Sequence, residues 1–495
     1  MYSTVKSLTL ALCMCLCAVM AQAGSLKTAD IFGGSMVLQR EAPLPIWGEA
    51  LPGEEVKVSF AGQTRATKAD ASGKWRVTLA PLPASAEGRD LSVSSGDEAL
   101  TFRNVLVGEV WLASGQSNME WGLLAPGVLG AAEIVASGDY PNIRLFAVNK
   151  AVGNVPKTSF PHFPWVPCSP KTLKRGPHHG SFSAVAYLYA LELHKKLGVP
   201  VGIIESAWGG TRIEPWTPSA AFKLPEVPQL KKLASPTGQF RNTTPSSLYN
   251  GMIAPLVPYA IRGAIWYQGE SNLADADYAA KTFALVQGWR DAWGVKKMPF
   301  HWVQLAPFTY RGKSKEALPL SWEQQTMALG IADTGMAIIN DVGDATNIHP
   351  GDKTTVAARL ARLAFSRVYG EKFVDDSGPL MSDVVFGDGA AVTVRFKHAA
   401  SGLKTRDGAA PSHFEIAGED GPFVPAVARI EDGTVVLSAE NVPAPAFVRF
   451  AWDQNAAPNL TNGEGLPAGA FRAKKNAAAE FPKPEAPAPK PAAAL

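Results

Sequence analysis

The stretch Leu112-Ala113-Ser114-Gly115-Gln116-Ser117-Asn118-Met119-Glu120 closes an unbroken apolar run over 105–113 with a small, polar, glycine-containing turn. A continuous apolar run reads as a strand buried on both faces. The polar turn at its end carries Ser117 outward, which is how a strand presents a nucleophilic hydroxyl. The elbow with glycine two residues to either side of the serine is absent, because Met119 stands at the second position. A plain turn is the competing reading of these nine residues, and the rest of the chain decides between the two.

Around that strand the pattern is regular. Apolar runs at 143–148, 201–206, 264–267, 301–305 and 336–340 alternate with stretches of helical period at 183–197, 276–293, 322–331 and 353–369. Such alternation predicts a parallel sheet covered on both faces, with ligands at the carboxyl ends of its strands. Before it, short runs of period two separated by Gly, Pro, Asp and Ser predict a small β-sandwich over 24–104. Its aromatics suit either sugar binding or a structural cap. The central α/β unit is expected over 105–374 and a second β-sandwich-like unit over 375–473. Residues 474–495 are mostly Ala, Pro, Lys and Glu and read as a disordered tail.

The first residues have the three parts of a secretory signal: Lys6, an apolar run over 8–20, and Ala21-Gln22-Ala23. The run is too short to anchor the chain, and no later stretch approaches the ~18 apolar residues of a membrane span. The expectation is a signal peptide over 1–23 and an exported protein, periplasmic or secreted, with no membrane contact after cleavage. Three of the four cysteines fall in that segment, so Cys168 alone remains and the mature chain forms no internal disulfide. With 46% hydrophobic residues and a net charge of +3, the composition shows no basic footprint for nucleic acid. Nothing in the sequence speaks to oligomeric state.

Polar clusters follow four of the strands: 115–118, 205–211, 268–272 and 341–349. Together they supply the parts of an acyl-transfer site. Ser117 needs a base, and of the eight histidines His349 is placed best, after a strand and before a helix. His194 falls in a helix, His301 in a strand, and His398 and His413 in the C-terminal unit. His178 and His179 head a loop within reach of substrate, but without cysteine or paired-carboxylate spacing no metal site is expected. Asp344 is the candidate to orient His349, with Asp341 its competitor and Asp352 read as a helix cap. Donors for a developing oxyanion are the Ser117 amide, a Gly209 or Gly210 amide and the Gln268 side chain. A tight turn is the competing reading of Gly209-Gly210.

Longer stretches carry a resemblance: Gly108-Glu109-Val110-Trp111-Leu112-Ala113-Ser114-Gly115-Gln116-Ser117-Asn118-Met119, Glu205-Ser206-Ala207-Trp208-Gly209-Gly210-Thr211, Ile265-Trp266-Tyr267-Gln268-Gly269-Glu270-Ser271-Asn272 and Ile348-His349-Pro350. Shorter ones extend it into the last unit, through Val448-Arg449-Phe450-Ala451-Trp452. In these the chain resembles the SGNH hydrolases, and among them the sialate O-acetylesterase family. The resemblance implies a flavodoxin-like three-layer core, removal of acetyl groups from sugar hydroxyls without a cofactor, Ser117 as nucleophile and His349 as base. Two positions depart from the superfamily pattern. Gln268 stands where an oxyanion-hole Asn is usual, and Thr346 where an acid three residues before the histidine is usual. A Ser-His dyad with the ring held by a backbone carbonyl therefore stays open beside Asp344.

The same loops supply candidate substrate contacts: Gln116, Asn118, Trp208, Arg212, Tyr249, Asn250, Glu270 and Asn272. An acidic sugar favours Arg212, Arg241 or Arg262, whereas neutral rings suit stacking on Trp208, Trp216, Tyr249 or Trp266. The expected substrate is acetylated sialic acid. Acetylated xyloglucan or xylan is the alternative, and a non-catalytic carbohydrate-binding protein is the reading from another class.

Overall fold

Two strands carry the chain from the N-terminal module into the centre of the molecule. β1 (Ser85–Ser95) runs antiparallel to the first part of β2 (Glu98–Gly115), an 18-residue strand. Up to Asn104, β2 is partly exposed; from Val105 to Gly115 every residue is buried. Asn104 has a left-handed backbone (φ 58°), as an asparagine tolerates. The boundary expected at 104/105 thus falls at a change of burial inside one strand rather than in a linker. In this computed structural model the described residues are 26–177, 179–387 and 389–475. The signal-peptide expectation over 1–23, His178 and the tail beyond 475 lie outside them.

The buried part of β2 is the central strand of a sheet whose other members are β3 (Ile143–Val148), β4 (His162–Pro167), β5 (Val201–Ala207), β6 (Gly263–Tyr267), β7 (Phe300–Val303) and β8 (Thr334–Ala337). The order is β4-β3-β5-β2-β6-β7-β8, parallel throughout except for the antiparallel edge strand β4. Successive side chains of β2 point to opposite faces. Val110 and Leu112 pack with Leu285, Val286 and Trp289 of α3 (Tyr278–Trp293), which lies beyond α1 (Ser117–Glu120) and α2 (Ala184–Leu197) in the chain. Trp111 and Ala113 pack on the other face with α2 and with α5 (Lys353–Arg367), which follows α4 (Ala317–Met327).

Helix starts follow from their caps. Ser183 Oγ accepts from Ala186 N at 3.1 Å, and Asp352 Oδ1 from Thr355 N at 2.9 Å, the capping role expected of Asp352. α4 begins five residues earlier than the periodicity indicated, at Ala317 rather than 322. Pro319 reads as a breaker, yet it sits in the first turn, where its missing N–H costs nothing.

The C-terminal unit contains two four-stranded antiparallel sheets. Its core is continuous with Leu305, Leu318 and Trp322 of the central unit. Arg449 pairs with Glu316 at 2.9 Å and Arg472 with Glu323 at 2.9 Å across the junction. Among the described residues no helix is long and apolar enough to cross a membrane.

At the amino end of the buried sheet, Glu109 is 0% exposed and receives Arg262 at 2.8 and 2.9 Å, Arg40 at 2.5 Å and the Tyr369 hydroxyl at 3.0 Å. Burial works to raise this carboxyl, but the bonds and charge of Arg262 and Arg40 outweigh it and hold it below the ordinary value. Removing the carboxylate leaves two partly buried guanidinium groups with only the exposed Glu41, 3.7 Å from each, as counter-charge. Glu109→Ala is expected to destabilise the fold by about 3 kcal/mol, read as a lowered urea midpoint, and a midpoint equal to that of the parent would refute this role.

Candidate active site

β2 ends at Gly115 because nothing larger fits: its φ is 143°, and a Cβ there would lie 2.2 Å from the Tyr267 carbonyl oxygen. Beyond it the Gln116 N–H donates to Tyr267 O at 2.9 Å and the Trp208 N–H to Gly115 O at 3.1 Å. The carboxyl ends of β5, β2 and β6 are thereby tied together, and Ser117 opens the one-turn helix α1 directly over them. Its amide, first in the helix, has no intrahelical acceptor.

Several sequence candidates converge on this turn. A Cβ on Gly209 would come within 3.2 Å of Ser117 Cβ, so that glycine lies against the serine. The Gln116 carbonyl oxygen Oε1 accepts from Gly269 N at 3.3 Å and Ser271 N at 3.4 Å. Asn118 is a junction: its Nδ2 donates to Glu270 Oε1 at 2.7 Å and to Ile348 O at 3.0 Å. The residue after Ser117 is thus bonded to the residue before His349. The His349 ring stacks on Trp121, with centroids 3.9 Å apart and planes at 14°, and its Nε2 is buried with no hydrogen-bond partner among the described residues. Burial, then the charges of Lys353 and His179, lower the imidazole to about 4 against the opposing pull of Glu120. His349 is therefore neutral through the whole physiological range.

Other candidates are occupied elsewhere. Asp344 is exposed, and its Oδ1 accepts from Thr346 N at 2.8 Å and Thr346 Oγ1 at 2.7 Å, which lowers its pKa. Asp341 receives both ends of the Arg359 fork, at 2.6 and 2.7 Å. Gln268 is 0% exposed, and its amide donates to Thr211 O at 3.1 Å and Asn272 Oδ1 at 2.9 Å. Both amide hydrogens are committed, because a buried amide must be satisfied wherever it sits. The Gly209 N–H donates to Glu120 Oε2. Gly210 is exposed and left-handed at φ 72°, the geometry of the tight turn.

Arg212 and Asn272 share a network with Glu214 and Asp275, Arg212 Nη2 donating to Asp275 Oδ2 at 3.0 Å and Asn272 Nδ2 donating to the same oxygen at 2.9 Å. Tyr249 and Asn250 line a separate cavity of about 520 Å³ with Pro218 and Phe240. Trp216 and Trp266 are 0% and 1% exposed and belong to the core, so they offer no face to a sugar. Arg262 lies at the opposite end of β2, on Glu109, and Arg241 is in the exposed turn with Thr244.

Four residues went unread in the sequence. Trp121 carries the His349 ring, and Glu120 anchors Gly209. Lys150 pairs with Glu120 at 2.5 Å and lies 5.6 Å from the Trp208 ring. Lys353, 1% exposed, donates to Asn118 Oδ1 at 2.7 Å. Of these only Lys353 left a signal in the chain, since a lysine opening a helix stands against the helix dipole. The rest are long-range contacts.

Comparison with known proteins places the chain in a family. Residues 107–357 match the family model described as carbohydrate esterase, sialic acid-specific acetylesterase. The sialate O-acetylesterase of Homo sapiens is 32% identical over 388 residues, covering 72% of this chain and 73% of that protein. That of Mus musculus is 29% identical over 415 residues, with 72% and 75% covered. A crystal structure of a carbohydrate acetylesterase from Xanthomonas citri superposes with a TM-score of 0.82 at 37% identity, covering 91% of this chain and 99% of that one. These likenesses lead to one statement: the chain belongs to the sialic acid-specific acetylesterase family of carbohydrate esterases and is a carboxylic ester hydrolase.

Proposed function

We propose that the protein is an exported serine esterase that removes O-acetyl groups from sialic acid, on a flavodoxin-like core carried between the two β units, the N-terminal one over 24–104 and the C-terminal one over 375–473. The observation that carries the catalytic reading is the Asn118 to Ile348 hydrogen bond of 3.0 Å, which ties the Ser117 turn to the His349 loop.

In this reaction His349 takes the proton from Ser117 Oγ as the oxygen attacks the acetyl carbonyl carbon. The tetrahedral oxyanion is received by the Ser117 amide and by the Gly209-Gly210 turn, with Glu120 yielding the Gly209 N–H. Gln268 contributes by fixing the Thr211 and Asn272 loops. Collapse expels the sugar oxygen, which takes the proton back from the imidazolium. Water, deprotonated by His349, then attacks the acyl-serine, and as the tetrahedral adduct collapses the imidazolium returns that proton to Ser117 Oγ and acetate is released. Trp121 stacking, rather than a carboxylate, orients the ring. The family likeness supports an acidic sugar, while the nearby cations are already paired, Lys150 with Glu120 and Arg212 with Glu214 and Asp275.

Ser117→Ala is expected to lower acetate release by about 10⁴-fold or more with the fold intact; turnover within tenfold of the parent would exclude Ser117 as nucleophile. Acetylated sialic acid and an acetylated xyloglucan oligosaccharide, assayed in parallel, decide the substrate, and preference for the latter would replace the proposed one.

The pH profile tests how the ring is held. Catalysis needs neutral His349, whose pKa lies near 4. Activity (kcat/KM) is therefore retained as pH falls through the ordinary imidazole range of about 6.5 and lost only as it passes about 4. A limb centred at about 6 to 7 would show instead that a carboxylate such as Asp344 supports the imidazolium.

A further inference from the structure

The esterase reading leaves one buried cation without a task. Lys353 Nζ donates to Asn118 Oδ1 at 2.7 Å and lies 5.8 Å from the Tyr267 ring centroid. On its other side the same carboxamide donates to Glu270 Oε1 at 2.7 Å and Ile348 O at 3.0 Å. The two charges fix which way the amide faces. Turned over, it would set its NH₂ against the ammonium and its oxygen against two acceptors, and lose all three bonds.

We propose that Lys353 is a positioning residue of the esterase, which holds the Ser117 turn against the His349 loop through Asn118, with Glu270 as its buried counter-charge. The proposal rests on the reading of Ser117 and His349 given above. Each member of the pair needs the other. Burial lowers Lys353 to about 7, opposed by Glu270 and Asp352, and burial raises Glu270, opposed by the Asn118 bond and Lys353. Glu270 Oε2 has no hydrogen-bond partner among the described residues, so removing Lys353 takes away a cation that offsets the burial of this carboxylate. The charges facing the His349 ring are Lys353 from α5, His179 from the preceding loop and Glu120 from α1, itself paired with Lys150. Loss of the lysine removes a cation that opposes imidazole protonation.

The test uses the full chain and follows acetate release against pH for Lys353→Met, Glu270→Gln, the double variant and Ser117→Ala, with thermal unfolding of each. Lys353→Met is expected to lose about 100-fold in kcat, the scale of a 1 Å misplacement, with KM changed less than about threefold. Its acid limb moves up from about 4. The double variant recovers at least about tenfold of the lost kcat, because no unpaired charge remains. A lowered unfolding temperature with kcat and acid limb unchanged would overturn the proposal, leaving Lys353 a purely structural residue. If Lys353→Met does not fold, Glu270→Gln carries the test, and kcat within twofold of the parent overturns it. Activity in Ser117→Ala would bring down the catalytic reading itself. An inactive Ser117→Ala beside unaffected Lys353 and Glu270 variants would bring down this inference alone.

Discussion

The structure depends on how closely β2 and β6 approach at Gly115. A side chain there would strike the Tyr267 carbonyl, so glycine lets the two backbones close and lets Gln116 N–H reach that same oxygen at 2.9 Å. Once the strand is stopped at that point, the next residue with helical geometry is Ser117, and the end of β5 is pulled alongside by the Trp208 to Gly115 bond. The place of Ser117 is thus set by backbone packed against backbone. Gly209 continues the same logic. It lies against the serine because it brings no Cβ, and its amide is turned inward by Glu120.

Charge is buried at both ends of the parallel sheet, with opposite economies. At Glu109 one carboxylate takes two arginines, a hydroxyl and an amide, and is held ionised. At the site end one ammonium and one carboxylate are separated by a carboxamide, and burial pushes each toward neutrality. The first arrangement locks the N-terminal module to the sheet through Arg40. The second is poised, and a poised pair belongs where a reaction must adjust charge rather than where a fold must be pinned.

Much of the fold was legible in the chain because its signals are local. The strand 143–148 has the observed bounds, Ser183 and Asp352 announce the helices they cap, and the helix after His349 starts at Lys353 as its periodicity requires. The extension of β2 back to Glu98 was not legible: 98–104 alternates like the N-terminal module while 105–115 is continuous, and two patterns in one strand read as two elements. At the site, Ser117, Gly209, Asn118, Glu270 and His349 were chosen as residues that follow strands, and the sheet gathers them for that reason. Trp216 and Trp266 lie in the core, although an indole flanked by polar residues looks the same in sequence whether it faces solvent or core. Trp121, Lys150 and Glu120 could be assigned only from tertiary contacts. Asp344 follows the rule that short polar loops satisfy themselves first, since Thr346 takes its carboxylate two residues away.

That last point bears on how a histidine can serve here without an acid. A carboxylate normally does two things for a catalytic imidazole: it fixes the ring and it stabilises the imidazolium. Stacking on Trp121 contributes to the first, for a parallel ring at 3.9 Å limits how far the imidazole can tilt. It does nothing for the second, and burial beside Lys353 makes the imidazolium dearer still. In the proposed reaction the cation forms only together with the oxyanion, so its stabilisation comes from the reacting group itself, a partner absent from the resting site. In that proposal His349, lowered to about 4 and with no hydrogen-bond partner at Nε2 among the described residues, stays neutral under acid conditions that would protonate an ordinary histidine.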